Sequence, residues 1–327
     1  MLQWGHLITI GVFPVTFLLI LVAIAAAVLL IAYLCFRMAF YSAPRKPWPE
    51  GFVDVPTGDP YDMYHDKMVQ WVLDMRALPH EDVSITSFDG LTLTGRFFEF
   101  APGAPMEIMF HGYRGNAERD LSGGVERAFK LGRSVLLIDQ RASRTSGGTV
   151  ISFGINEVKD CLRWVDFAVN RWPGCKIILT GISMGAATVM MASNKDLPEN
   201  VIGILADCGY SSPKEIIQLA MEPMGIPKAL GWPFVKLGAK IFGRFDPEAD
   251  SPVEALKGAK VPVIFFHGET DSLVPCYMSK ACYEACTSRK HLVTIPGADH
   301  GLSYAVDPER YLKELGDFFG PEASYSK

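Results

Sequence analysis

The run from Lys176 to Ala187, K-I-I-L-T-G-I-S-M-G-A-A, constrains the fold more than any other stretch of the chain. Lys176 to Thr180 is short, apolar and β-branched, the composition of a buried central strand. Gly181-Ile182-Ser183-Met184-Gly185 follows, and Ala186 to Ser193 reads as a helix. A strand that turns directly into a helix brings backbones close together and holds its middle residue in a strained conformation, which exposes the Ser183 hydroxyl. The helix then aims the positive end of its dipole at the same point. Small residues flank many serines for packing reasons alone, so it is the strand on one side and the helix on the other that make Ser183 a candidate nucleophile.

Strand–helix alternation surrounds this turn. Strands are expected at 106–110, 134–138, 176–180, 201–206, 261–266 and 291–295. Helices are expected near 117–131, 153–171, 184–194, 274–288 and 307–319. Short, wholly apolar strands in repeated βα units imply a parallel sheet covered on both faces. Ahead of them, Val83–Ser87 and Leu91–Phe100 flank Asp89-Gly90 as a β-hairpin. Asp59 and Pro60 read as the N-cap and first position of a helix whose apolar face carries Tyr64, Met68, Trp71, Met75 and Leu78. Met and Trp on such a stripe are expected to be core. Residues 212–250, rich in Met, Trp, Phe, Gly and Pro, interrupt the alternation as an inserted lid.

Leu7 to Phe36 contains no charged side chain. Thirty residues exceed the roughly 20 that cross a bilayer as a helix. Pro14 places the firm part from Val15 onward. A cleaved signal peptide is the alternative, but no Lys or Arg precedes the run and it is too long for a signal core. The expected organisation is therefore a transmembrane anchor over 1–41 and a catalytic domain over 42–327. Arg37, Arg45 and Lys46 follow the span among Pro44, Pro47 and Pro49, and positive charge biases that side towards the cytoplasm. Seven cysteines show no C-x-x-C spacing, and Cys282 and Cys286, one helical turn apart, read as helix packing rather than a metal pair. A net charge of −5 without a basic stripe argues against a nucleic-acid partner. No metal-ligand motif or phosphate-binding loop is present, so no metal or cofactor is expected.

In a parallel sheet, functional groups gather beyond the carboxyl ends of the strands. Three such ends carry chemistry here: Ser183, then His267-Gly268-Glu269-Thr270-Asp271-Ser272, then Pro296-Gly297-Ala298-Asp299-His300-Gly301. His300 is the candidate base for Ser183, and Asp271 the candidate partner that fixes the imidazole tautomer. Glu269, Asp299 and Asp250 compete for the acid role, and His111 and His267 for the base. The Met184 N–H and the Tyr113 N–H, from the loop His111-Gly112-Tyr113-Arg114-Gly115-Asn116, are candidate donors to a tetrahedral oxyanion. The lid residues Met221, Met224, Trp232 and Phe234 are expected to line an apolar substrate pocket.

Five segments, F-H-G-Y-R-G-N, D-Q-R-A-S-R-T-S-G-G, G-I-S-M-G-A, H-G-E-T-D-S-L-V-P and G-A-D-H-G, span residues 110 to 301. As a set they resemble the α/β-hydrolase superfamily, in its membrane-anchored bacterial branch near prolyl-oligopeptidase-like, lipase-like and esterase-like domains. The resemblance implies the α/β-hydrolase fold and a Ser183–His300–Asp271 triad. It implies no substrate beyond a small-molecule acyl compound. Many relatives carry His-Gly where this chain has Ser143 and Arg144, which sets that loop apart. The peptidase branch usually carries a large N-terminal propeller, whereas the sequence before 106 holds an anchor, one helix and a hairpin. That contrast points to a stand-alone esterase. Catalytically silent binding proteins on this scaffold generally lose the serine or the histidine, and both are present here.

Overall fold

The strands form one eight-stranded sheet, and its order follows from which strands must be buried on both faces. In a computed structural model, which describes residues 7–43, 48, 49, 51–320 and 323, with side chains from Val15 onward, the strands are β1 (Glu81–Thr86), β2 (Thr92–Phe98), β3 (Met106–Phe110), β4 (Ser134–Asp139), β5 (Ile177–Ile182), β6 (Val201–Asp207), β7 (Val263–Gly268) and β8 (Lys290–Ile295). Their order is β1-β2-β4-β3-β5-β6-β7-β8. The hairpin β1–β2 joins antiparallel to β4, and every pairing from β4 to β8 is parallel. β3, β4 and β7 are buried along their whole length, which explains their continuous apolar runs.

The helices are α1 (Leu7–Ala39), α2 (His65–Ala77), α3 (Ala117–Lys130), α4 (Glu157–Arg171), α5 (Met184–Ala192), α6 (Pro213–Met221), α7 (Lys228–Gly238), α8 (Pro252–Leu256), α9 (Tyr277–Ala285), α10 (Ser303–Val306) and α11 (Pro308–Phe319). Alternate strand residues feed two cores. Leu136, Ile138, Ile108, Ile177 and Leu179 pack with α4, α5 and α9 on one face. Val135, Leu137 and Met109 meet α3, and Ile178, Leu205, Ile264 and Phe266 meet α11, on the other. Glu107 on β3 is wholly buried and ties three elements together. It pairs with Arg127 of α3 and with Arg133 at 2.9 Å, and accepts the Thr180 hydroxyl of β5 at 2.8 Å. Burial works against its charge, yet the two guanidiniums outweigh burial and hold its carboxyl below the usual range.

Two expectations shift. Asp59 and Pro60 do not open a helix: Tyr61 N–H turns back to the Gly58 carbonyl, and α2 begins only at His65. The reason is tertiary, since the Tyr61 hydroxyl reaches the His300 carbonyl at 3.0 Å and draws this segment to the far end of the sheet. The second concerns α1, which is continuous through Pro14 rather than starting near Val15. The linker residues Pro44, Arg45, Lys46 and Pro47 lie outside the described residues.

The last turns of α1 belong to the core of the domain. Ala32, Phe36 and Phe40, one turn apart, are all buried, whereas Val15 to Ile31 is almost wholly exposed. Gly238 of α7 sits so close that a Cβ there would lie 2.3 Å from the Ala32 carbonyl oxygen. Phe242 packs on Tyr33 and Phe36, and Phe40 stands edge-on to Phe153 and Phe245. Beyond the helix, Ile151 N–H bonds the Phe40 carbonyl and Ser42 N–H bonds the Thr149 carbonyl, so the chain leaves α1 already paired with 149–151. Phe40→Ala is accordingly expected to cost about 3–5 kcal/mol, measured by denaturant unfolding of the full chain in detergent micelles. A change within the roughly 0.5 kcal/mol typical of surface sites would show that this end of α1 is not core.

Candidate active site

Ser183 stands between β5 and α5 with φ 56° and ψ −116°, a backbone conformation that costs a non-glycine residue of order 1–3 kcal/mol. What holds it there is close packing. A Cβ on Gly185 would lie 1.9 Å from the Phe110 carbonyl oxygen, and one on Gly181 would lie 2.2 Å from the Gly185 backbone. Ser183 N–H also donates to the Asp207 carbonyl at 2.8 Å. Strain of this kind is concentrated around the site. Of the described non-glycine residues with positive φ, Arg114, Ala142, Arg144, Phe153, Ser183 and Cys208 follow the carboxyl ends of β3 to β6, and Arg244 lies in the insertion between β6 and β7.

The histidine and the aspartate meet at the neighbouring strand ends. His300 Nδ1 lies 2.8 Å from Asp271 Oδ2. The other Asp271 oxygen accepts the Leu273 and Val274 N–H groups at 2.9 and 2.7 Å. Burial penalises charge on Asp271, but the hydrogen bonds from His267 and His300, with that from Val274, outweigh it and keep the carboxyl ionised well below its usual range. The competing acids are engaged with other partners: Asp299 accepts from Ser272 and from His300 N–H, Glu269 accepts the Thr294 hydroxyl, and Asp250 pairs with Lys195. His267 is fully buried between Ser279 Oγ and the Val274 carbonyl, with Nε2 also 3.2 Å from Asp271 Oδ2, and His111 is buried between Gln140 N–H and its neighbour's carbonyl. His300 Nε2 faces Cys208 Sγ at 4.0 Å, and no hydrogen bond joins it to Ser183.

The loop after β3 lies against Ser183: a Cβ on Gly112 would be 3.5 Å from the Ser183 Cβ. Gly112 N–H donates to Asp120 Oδ2 at 3.0 Å. Neither the Tyr113 nor the Met184 backbone N–H has an acceptor among the described residues. The Ser143 loop supports this one from below, since Ser143 Oγ donates to the Gly115 carbonyl and the Gln140 amide to the His111 carbonyl. Arg144 lies over the Trp48 ring, away from Ser183.

A cavity of about 300 Å³ opens beside Ser183 and His300. Its walls include Tyr61, Met68, Trp71, Leu121 and Tyr304, from α2 and the turn before it, α3 and α10. The expected pocket residues Met221, Met224, Trp232 and Phe234 are not among its walls. Met221 and Trp232 are buried, the indole of Trp232 donating to Glu248 at 3.0 Å; Phe234 is half-buried, and Met224 is exposed. The apolar face of α7 is taken up by the end of α1, so it is not free to face the site. Trp71, assigned by its spacing to the core, instead stacks on Tyr304 in the cavity wall.

Residues 151–323 match the model of the prolyl oligopeptidase family. The chain belongs to that family. Its matched region includes Ser183, Asp271 and His300, whereas the loop after β3 lies ahead of it. Among relatives, YqkD of Bacillus subtilis is 27% identical over 192 residues, covering 58% of this chain and 62% of that protein. The α/β-hydrolase domain-containing protein WAV2 of Arabidopsis thaliana is 26% identical over 72% of this chain and 77% of its own. The solved esterase Pf2001 of Pyrococcus furiosus superposes with a TM-score of 0.62 at 21% identity, covering 85% of this chain and 97% of the esterase. The fold is the α/β-hydrolase fold, with a hydrolase family as its context.

Three residues in this family member's site escape sequence reasoning: Tyr61, Asp120 and Cys208. None stands in a motif, and only the fold brings them to Ser183. Cys208 Sγ, Asp271 and His300 offer ligand atoms within 4.8 Å of one another, but they suit a metal poorly. Burial first, then Asp207 and Asp271, push the Cys208 thiol well up, and both Asp271 oxygens already accept hydrogen bonds.

Proposed function

We propose that the chain is a serine hydrolase that cleaves an apolar carboxylic ester through an acyl-enzyme on Ser183. The observation that carries this reading is the cavity shared by the strained Ser183 and by His300, whose other ring nitrogen is held by the ionised Asp271. Ser183 Oγ attacks the acyl carbon while His300 Nε2 takes its proton, and Asp271 stabilises the imidazolium. The Tyr113 and Met184 N–H groups receive the oxyanion, His300 returns the proton to the leaving alcohol, and water repeats the sequence to release the acid. The Ser183–His300 contact tightens when substrate displaces the imidazole from Cys208, as catalytic hydrogen bonds often do. A cavity of about 300 Å³ is at the small end of ligand sites and suits a short to medium acyl chain. Membership of the prolyl oligopeptidase family favours one second reading, an amide or peptide substrate in the same site.

Val15–Ala39 is long and apolar enough to cross a bilayer, and a cleaved signal sequence meets the same test. The uncleaved anchor is favoured because removal would strip Ala32, Phe36 and Phe40 from the core. Positive charge after the span, with six free thiols outside it, supports a catalytic domain on the cytoplasmic face. In intact spheroplasts, external protease should leave 42–327 uncut; cleavage without lysis would reverse the orientation.

Ser183→Ala should abolish fluorophosphonate labelling and lower kcat roughly 10⁴-fold or more, with His300→Ala and Asp271→Asn also severely impaired. Turnover by the Ser183 variant would remove the serine mechanism, and a crippling Asp299→Asn with a mild Asp271→Asn would move the acid. Faster turnover of aminoacyl amides than of p-nitrophenyl esters would favour the second reading. Across a series of acyl lengths, Trp71→Ala should shift the preferred chain upward and Trp232→Ala should leave it in place. The opposite pattern would return the pocket to the lid.

A further inference from the structure

We infer that the last turn of α1 is a positioning element for the oxyanion loop, clamped to it by Tyr113 and Arg114. The inference rests on the serine-hydrolase reading above and concerns what holds one of its donors in place.

A helix leaves its last carbonyls without intrahelical partners, and side-chain donors from a neighbouring segment can take them. The α1 end finds them in the loop after β3. Tyr113 Oη donates to the Ala39 carbonyl at 2.8 Å. Arg114 donates from one nitrogen to the Met38 carbonyl at 2.6 Å and to the Tyr41 carbonyl at 3.1 Å. Burial pushes the Tyr113 phenol up, so it stays a donor across the working pH range. The Tyr113 ring lies 4.8 Å from Phe153, which is itself edge-on to Phe40 at 5.8 Å, so packing repeats the link that the hydrogen bonds make.

The loop needs such a clamp. Arg114 has φ 54°, so the backbone directly after Tyr113 is held against its own preference. On the side of α3 the loop is fixed by Gly112 N–H to Asp120, and below by Ser143 to the Gly115 carbonyl. Its remaining side, carrying the Tyr113 and Arg114 side chains, is fixed by α1. The main-chain N–H proposed to meet the oxyanion therefore lies between an anchor point on the hydrolase domain and one on the apolar helix. Since α1 is held laterally by Gly238, Phe242 and Phe245, its end forms a rigid stop.

Tyr113→Phe removes only the hydroxyl and keeps the ring and the N–H; Arg114→Gln removes the charge and shortens the side chain out of reach of the two carbonyls, and Arg114→Lys restores a long cationic N–H donor. In the full chain in micelles, both Tyr113→Phe and Arg114→Gln should lower kcat roughly 10- to 100-fold with KM unchanged, the scale of an approximately 1 Å misplacement. The affinity for a boronic acid transition-state analogue should fall by the same factor, and Arg114→Lys should recover part of both. Unchanged kcat and analogue affinity in folded Tyr113→Phe and Arg114→Gln would overturn the clamp. Should either variant unfold, amide hydrogen exchange of the unmodified protein decides. Slower exchange over 36–42 when the boronate is bound supports the coupling, and no change there overturns it. Activity surviving in Ser183→Ala would instead sink the serine mechanism, so the two failures are distinct.

Discussion

The contact on which the rest depends is the approach of the Gly185 backbone to the Phe110 carbonyl at the end of β3. It allows no side chain atom between them. With that distance closed, β5 can run straight into α5 and Ser183 is left at a positive φ, facing the cavity. The same approach sets the first turn of α5 beside the loop after β3. A strand-to-helix turn with any bulk at 185 would separate them.

Around this point the domain spends polar interactions where packing alone would not fix position. Glu107 links β3 to α3 and to β5 beneath the site, and it remains charged because two buried arginines face it. Asp271 is similarly over-determined by two backbone N–H groups and two histidines. Removing a partner from either cluster leaves a buried charge, which makes these clusters rigid.

The apolar helix has two environments along one length. From Val15 to about Leu30 it is exposed on nearly all sides, and from Ala32 it is gripped by α7, the π turn at Ala239–Gly243 and the ring of Phe245. The insertion after β6 therefore serves the helix rather than the pocket. That leaves the face formed by α2, α3 and α10 to wall the cavity.

Much of this could be read from residues in order. The parallel sheet, the helices on both faces, the hairpin and the serine turn follow from local periodicity and from glycine spacing, because a strand buried on both faces or a strand-to-helix turn tolerates few residue types. The positions of Asp271 and His300 after successive strands were legible for the same reason, since parallel strands place their carboxyl ends together. Tertiary contact alone decided the rest. Trp71 and Trp232 are both tryptophans in apolar stretches, and nothing local tells that one walls a cavity and the other is buried within the insertion, bonded to Glu248. Tyr61 left its expected helix to bond the His300 carbonyl, and Cys208 reached the imidazole because β6 lies beside β5. The grip of the apolar helix on the domain was hidden too: an uncharged run reads as bilayer-seeking along its whole length, and only its packing partners show where its exposed stretch gives way to protein core.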